Sequence, residues 1–160
     1  MNKITIIAVG KIKEKYFVDA VKEYGKRLSK YCRLNLIEVA DEKTPDKAAS
    51  SVNEQILKTE SVRILSKVPE GAYVVTLEIG GKMMDSVEFA KHVEKLGVYG
   101  ESHLVFVIGG SLGLHPDVSD RADEKLSFGK MTYPHQLMRV ILLEQIYRCF
   151  RINANEPYHK

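Results

Sequence analysis

The last three residues of the chain, Tyr158, His159 and Lys160, place a phenol, an imidazole and a cation side by side. A histidine can move a proton near neutral pH, and a tyrosine can stack on an unstacked RNA base. Chain ends usually fray and carry no function, however, unless the fold holds them. The tail is therefore a candidate site for proton transfer or base contact only if it is pinned in place.

Three segments that contain glycine form a second group of candidates, at 77–81, 108–113 and 127–132. Each comes at the end of a predicted strand, where ligands bind in open α/β sheets, and glycine lets a ligand approach the backbone closely. Their spacing matches neither the dinucleotide fingerprint GxGxxG after a first strand nor the phosphate-binding loop that ends in GKS or GKT. These segments predict a ligand site of another kind, with ordinary turn glycines as the alternative.

Metal and hydrolase chemistry find no support in the spacing of the reactive residues. The five histidines show no HxxxH or HExxH pattern, and Cys32 and Cys149 form no CxxC pair. We therefore expect no metal site. No GxSxG segment is present, so the elbow of a serine hydrolase is missing as well. Two distant cysteines also disfavour a disulfide framework and favour a reducing cytoplasm.

Predicted strands and helices, which would position the candidate residues, alternate along the chain. Short apolar runs predict strands, and apolar residues at helical spacing predict the helices between them. This order favours an α/β fold with a largely parallel sheet, in one domain spanning 1–160. The predicted strands are 3–9, 34–39, 72–79, 103–108 and 125–128, and the predicted helices are 16–31, 46–67, 86–96, 116–122 and 134–152.

Composition and charge narrow the class of protein. The chain has 160 residues, of which 44% are hydrophobic, and this excludes a disordered or collagen-like chain. No apolar run is long enough to cross a bilayer, and no signal peptide is evident. The net charge is only +3, but residues 1–33 carry nine basic against three acidic side chains, and residues 125–160 carry six against two. Two such patches suggest a polyanionic partner, with ordinary solvated helix faces as the alternative.

The last predicted helix is apolar around most of its circumference. Only a narrow polar strip, which includes Arg139, Glu144 and Arg148, interrupts its apolar residues. Such a helix must be covered on more than one side. In a chain this short, the second cover predicts a homodimer, and a fully internal core helix is the alternative.

Five segments, read in order, resemble a known family. AVGKIKEKYF, TLEIGGK, FVIGGSLGLH, LSFGKMTYPHQLMRVILLEQIYRCF and the final NEPYHK are similar to the small single-domain SPOUT methyltransferases that modify large-subunit ribosomal RNA. The resemblance runs from end to end. It implies a SPOUT (α/β-knot) fold with a C-terminal trefoil knot, which the general rarity of knots would not suggest. It also implies a homodimer packed through the last helix, in which the partner's tail completes each active site.

The same resemblance implies an activity. The expected reaction is methylation of N3 of a pseudouridine in 23S ribosomal RNA on assembled ribosomes, with S-adenosyl-L-methionine as the donor. A non-catalytic ribosome- or RNA-binding protein of the same fold is the alternative. A SPOUT enzyme that acts on tRNA is a weaker one, because a chain of this length leaves no room for a separate RNA-binding domain.

Site residues follow from the resemblance by position. His159 is the first candidate for the base or proton relay, Tyr158 would position or stack the target base, and His135 with Arg139 could orient the pseudouridine or a phosphate. A purely structural role is the alternative for His135. The expected cofactor contacts are Leu77, Gly109, Phe128, Gly129, Lys130, Met131, Thr132 and Tyr133, and the expected RNA contacts are Lys11, Lys13, Lys15, Lys22, Arg27 and Arg139.

Overall fold

Strands and helices alternate through the computed structural model, which describes residues 2–160. The elements are β1 (Asn2–Val9), α1 (Lys15–Leu28), β2 (Cys32–Val39), α2 (Ser50–Leu65), β3 (Tyr73–Met83), α3 (Ser86–Val98), β4 (His103–Ile108), α4 (Pro116–Arg121), β5 (Glu124–Ser127) and α5 (His135–Asn153).

A single five-stranded sheet has the order β2-β1-β4-β3-β5, and every pair in it is parallel. The prediction of an α/β fold with a mostly parallel sheet is confirmed. All strands run in the same direction, so their carboxyl ends meet at one edge of the sheet. The C-terminal knot stays a prediction.

Helices cover both faces of the sheet. In β1, Ile4 and Ile6 point to the face that α1, α3 and α5 cover, whereas Ile7 and Val9 point to the face that α2 and α4 cover. Successive residues of a strand point to opposite faces, so a strand covered on both sides is mostly apolar, and any buried polar side chain in it needs a hydrogen bond. The central strands β1 and β4 follow this rule, and the buried Thr5 hydroxyl of β1 is hydrogen-bonded to His103 Nε2 at 2.8 Å.

β3 is longer than predicted. The expected end before Gly80 and Gly81 is wrong, because the strand continues to Met83. A bulge lies between Leu77 and Lys82, and beyond it Lys82 pairs with Leu126 of β5. A Cβ atom at Gly81 would lie 2.7 Å from the carbonyl carbon of Lys125, so this glycine permits close strand contact and does not form a turn.

The other elements begin and end within a few residues of their predicted bounds. α2 begins at Ser50, four residues after its predicted start, and α3 is capped by Asp85. The Asp85 side chain accepts a hydrogen bond from the Glu88 backbone N–H, and the Glu88 side chain accepts one from the Asp85 backbone N–H. This capping box fixes the start of the helix.

Within residues 2–160, no helix is both long and apolar enough to span a membrane.

Candidate active site

The three glycine-containing segments meet at the carboxyl edge of the sheet and enclose a cavity of about 710 Å³. Ligand sites of this size are typical for small molecules and cofactors. Lys130 does not line the cavity. Seven of the eight residues expected to contact the cofactor do line it, namely Leu77, Gly109, Phe128, Gly129, Met131, Thr132 and Tyr133.

Two glycines set the backbone path of the loops around this cavity. A Cβ atom at Gly109 would lie 2.7 Å from the carbonyl carbon of Gly113, so the turn closes only with glycine at this position. Gly129 has a φ of +110°, a backbone conformation that favours glycine, although a Cβ atom there would meet no other atom within 4 Å. The Ser127 hydroxyl donates to the Ile79 carbonyl at 2.8 Å and accepts from the Gly129 N–H at 3.1 Å, which ties the third loop to β3. The glycines let a ligand approach the loop backbone closely, and the cavity has the size for a nucleoside-sized cofactor such as S-adenosyl-L-methionine.

Glu78 adds a fixed negative charge to the lining of the cavity. Its two carboxylate oxygens accept hydrogen bonds from the hydroxyls of Thr76, at 2.6 Å, and Ser119, at 2.8 Å. Glu78 was not among the residues expected to contact the cofactor, although a charged residue near the end of an apolar strand is a usable signal. Because both oxygens are held, this carboxylate can orient a donor group of a ligand without moving.

His135 lies at the start of α5 and lines the same cavity. Its Nδ1 is buried and has no hydrogen-bond partner within residues 2–160. Burial lowers the pKa of His135, and the nearby Arg139 guanidinium lowers it further, so the imidazole is neutral at neutral pH. A histidine with a purely structural role would hold a hydrogen bond, and His135 Nδ1 has none within residues 2–160. The neutral ring can therefore accept a proton.

Arg139 lies one turn further along α5 and is only 6% exposed. Its guanidinium donates to the Gly10 carbonyl at 2.6 Å and to Glu38 Oε2 at 2.5 Å. The side chain is therefore committed to the end of β1 and does not present an uncompensated charge to RNA in this structure. It holds Gly10 in place, and a Cβ atom at Gly10 would come within 3.4 Å of the His135 ring.

The tail is pinned to the second half of α5. The Tyr158 hydroxyl donates to Glu144 Oε2 at 2.8 Å, and Arg148 Nη1 lies 3.1 Å from His159 Nδ1. The Tyr158 ring packs edge-on against Tyr147, with 5.0 Å between the ring centroids. Burial raises the pKa of Tyr158, and the hydrogen bond to Glu144 raises it further, so the phenol stays a proton donor.

The tail is distant from the cavity of its own chain. Arg148 lies about 20 Å along the helix axis from His135, and neither Tyr158 nor His159 lines the cavity. Of the three expected catalytic residues, the structure brings only His135 to the expected cofactor contacts.

The expected RNA contacts at the N-terminus are exposed on α1 and on the loop before it, at Lys11, Lys13, Lys15, Lys22 and Arg27. Lys15 pairs with Asp19 and Arg27 pairs with Glu23, each four residues apart on the helix surface. Such exposed pairs are weak and can open for a phosphate. Within residues 2–160, no group of three or more His, Cys, Asp or Glu side chains is placed to hold a metal ion.

The protein has an all-parallel sheet, a cavity with glycines at its carboxyl edge, and a long final helix. Comparison with known proteins assigns this α/β protein to a family. The family described as "Predicted SPOUT methyltransferase" matches residues 2–159. The chain belongs to this family, and the protein is a methyltransferase.

Relatives of known name cover almost the whole chain. It is 60% identical to "Ribosomal RNA large subunit methyltransferase H" of Clostridium kluyveri over 98% of this chain and 99% of that protein. The protein of the same name from Bifidobacterium adolescentis is 56% identical over 99% of both chains.

Solved structures share the fold at low sequence identity. A probable methylase family protein from Haemophilus influenzae is 12% identical, with a TM-score of 0.56 over 98% of this chain and 70% of that one. The tRNA (m1G37) methyltransferase from Aquifex aeolicus is also 12% identical, with a TM-score of 0.55 over 99% of this chain and 75% of that one. At this identity the likeness concerns the fold alone.

Proposed function

We propose that the protein methylates N3 of a pseudouridine in 23S ribosomal RNA, on assembled ribosomes in the cytoplasm, with S-adenosyl-L-methionine as the methyl donor. The observation that carries this proposal is the cavity itself, which gathers seven of the eight residues expected to contact that cofactor. The names of the relatives from Clostridium and Bifidobacterium support large-subunit ribosomal RNA as the substrate. A preformed cofactor cavity also favours an enzyme over a binding protein of the same fold.

Cofactor binding falls to the backbone of the three loops. When bound, the cofactor supplies a methyl group that is already electrophilic. The residues of the chain must then hold the target base in line and keep water out of the cavity. Gly109 and Gly129 open the backbone to the ligand, while Leu77 and Phe128 supply apolar walls.

Proton removal is the second task, because N3 of a pseudouridine carries an imide hydrogen. His159 is the first candidate for the base, and Tyr158 would position the nucleotide by stacking or hydrogen bonding. His135 is neutral, lines the cavity and has an unpartnered Nδ1, so it can relay the proton or orient the base. A histidine that acts in this way typically contributes 10²- to 10⁴-fold in rate.

A homodimer would bring these groups together. Leu137, Val140 and Ile141 on α5 remain partly exposed, which leaves an apolar strip for a second subunit to cover. In a two-fold dimer packed through this strip, the α5 helices cross, and each tail can reach the cavity of the other subunit. The separation of the tail from the cavity of its own chain then becomes a reason for dimerisation.

Binding of the ribosome would use the exposed cations at the N-terminus. Lys11, Lys13 and Lys22 have no acidic partner within 4 Å among residues 2–160, so they can contact phosphates directly. Each phosphate contact releases counterions, and the affinity should therefore fall steeply as salt rises. A dimer would present this patch twice.

The decisive experiment is methyl transfer from radiolabelled S-adenosyl-L-methionine into ribosomes from a strain that lacks the enzyme. We expect label in 23S RNA of 70S particles and less in isolated 50S subunits, with the methyl group on N3 of a pseudouridine by mass spectrometry. Ribosomes from the parent strain, which are already methylated, serve as the control. Cofactor binding without any transfer to ribosomes would contradict the assignment and favour the non-catalytic alternative.

A further inference from the structure

A second cavity, of about 290 Å³, lies between α1, β1 and the edge strand β2. Its walls are mostly apolar, with Ile12, Val18, Val21 and Leu36 among them. None of its lining residues takes part in the cofactor cavity. Its volume is near the lower end of small-ligand sites and is sufficient for one nucleoside.

Glu38 places a fixed acceptor in this apolar cavity. Its Oε2 accepts hydrogen bonds from the Ile12 backbone N–H at 3.0 Å and from Arg139 Nη1 at 2.5 Å. Its Oε1 receives no hydrogen bond from residues 2–160, and the side chain is 42% exposed. The carboxylate is thus oriented by one oxygen and open to a ligand through the other, and carboxylates accept well from amino groups of bases.

One lysine lines the second cavity and two more lie next to a lining residue in the sequence. The exposed Lys22 lines the cavity, and the exposed Lys11 and Lys13 flank Ile12 in the sequence. A ligand with apolar faces, a hydrogen-bond donor at its edge and a negatively charged backbone satisfies the walls, Glu38 and these lysines at once. An unstacked nucleotide of single-stranded RNA has this combination of properties.

We propose that this second cavity receives an unstacked RNA base that carries an exocyclic amino group, from the stretch beside the methylated nucleotide. This inference rests on the proposed function. Arg139 lines the second cavity and His135 lines the cofactor cavity, one turn apart on α5, a rise of about 6 Å, and we therefore expect one short RNA segment to span both. Holding a neighbouring base in this way fixes the register in which the target base enters the active site.

The first test uses the wild-type protein, with its Ile, Leu and Val methyl groups labelled for NMR, and CMP and UMP as probes. These nucleotides differ in the amino or oxo group that they would present to Glu38. We expect saturable shifts for the methyl groups of Ile12, Val18 and Leu36, with CMP binding more tightly than UMP. Equal binding of both probes, no shift at these methyl groups, or shifts that follow protein concentration instead of nucleotide would each overturn the proposal. The last result would identify a second copy of the chain as the occupant.

The second test fills the cavity. Val18→Phe should raise KM for ribosomes about tenfold, the value of one lost base contact of about 1.4 kcal/mol. Val98→Phe is the matched control, because Val98 is 80% exposed at the end of α3, and it should leave KM unchanged. An unchanged KM in a folded Val18→Phe protein, one that binds the cofactor normally, would overturn the proposal.

The two tests separate this inference from the proposed function. If the wild-type protein methylates no ribosomes, the proposed function fails, while the CMP and UMP titration still decides whether the cavity binds a base. If the wild-type protein methylates ribosomes and the titration shows no nucleotide in the cavity, only the further inference fails. Should Val18→Phe not fold, the titration of the wild-type protein decides alone.

Discussion

The two halves of α5 carry two differently built sites. At its start, the cofactor cavity is enclosed by three loops at the ends of paired strands, and at Gly109 the adjoining Gly113 backbone leaves no room for a side chain. Toward its end, the tail is held by side chains, chiefly Glu144 and Arg148. The cavity is therefore part of the folded sheet, whereas the tail is an addition to a helix surface.

This difference bears on how the active site is assembled. Side-chain pairs at a partly exposed surface contribute little each, at most about 1 kcal/mol. The tail can therefore adjust to a partner, while the cavity cannot change without disturbing the sheet. A rigid cofactor site and an adjustable tail are compatible with the proposed dimer, in which the tail of one subunit would complete the site of the other.

The largest expected effect tests whether the two regions act together. His159→Ala should lower turnover about 100-fold or more while leaving cofactor affinity unchanged, because a lost proton acceptor affects only the chemical step. His135→Ala should also lower turnover. Single-turnover methylation of ribosomes and calorimetric titration of the cofactor measure the two quantities separately.

Mixing the His159→Ala and His135→Ala proteins tests whether the active site is shared between two subunits of a dimer. Each heterodimer would contain one doubly altered site and one intact site, so random exchange should restore about a quarter of wild-type activity. Lys160→Ala is the control for altering the tail without removing its imidazole. No recovery on mixing, with exchange of subunits demonstrated, would mean that each tail serves its own chain and would contradict the shared site.

The next effect tests the rigidity of the cavity. Gly109→Ala should weaken cofactor binding about tenfold or more, because the new methyl group would overlap the Gly113 backbone and push the loop away. Gly80→Ala is the matched control, since a Cβ at Gly80 meets nothing within 4 Å. Equal affinities of the two variants would mean that the loop yields easily and that the cavity is no more rigid than the tail.

The cavity was accessible to sequence reasoning because it follows from local signals. β4 was predicted with its observed ends, since an apolar run bounded by polar residues and glycine indicates a strand covered on both faces. The position of ligand sites at strand ends then selected the three glycine-containing segments. The individual residues in the third loop came from the family resemblance, and Lys130 alone of that set lies outside the lining.

What sequence reasoning missed depends on contacts between distant residues. The second half of β3 exists because Lys82 pairs with Leu126, and Gly80 and Gly81 suggested a turn in the absence of that partner. Arg139 was expected to orient the pseudouridine or a phosphate, because it follows the expected cofactor loop closely in the sequence, and that role stays a prediction. Its partners, Gly10 and Glu38, lie more than 100 residues away in the sequence, and no local pattern indicates them.

A smaller effect is expected from loosening the tail. Tyr158→Phe removes the hydrogen bond to Glu144 and should lower the free energy of unfolding by about 1 kcal/mol, since the bond is partly exposed. This corresponds to a fall of about 2–4 °C in the melting temperature. Tyr99→Phe is the control, because that side chain is 72% exposed and its hydroxyl makes no hydrogen bond within residues 2–160. A melting temperature unchanged by Tyr158→Phe would mean that the hydrogen bond to Glu144 does not stabilise the tail, and that ring packing and the Arg148 contact hold it instead.

The smallest effect concerns protonation of His135 and can be measured by NMR of its ring protons as a function of pH. The pKa should lie below the ordinary value of 6.5, because burial and the Arg139 charge disfavour the imidazolium, while Asp41 opposes them by raising the pKa. Asp41→Asn should therefore lower the pKa further, and Asp46→Asn, which removes a carboxylate absent from the groups that act on His135, should leave it unchanged.

The lowered pKa of His135 also predicts how stability and activity change with pH. Below pH 6.5 the unfolded chain takes up the proton more readily than the folded one, so this histidine makes stability fall as the pH drops toward the folded pKa. The contribution of His135 to methyl transfer should persist through this range and be lost only when its folded imidazole is protonated. A pKa at or above 6.5 in the folded protein would mean that water or an acidic group reaches Nδ1. The cofactor cavity would then be as open to solvent as the tail, and the contrast between the two halves of α5 would not hold.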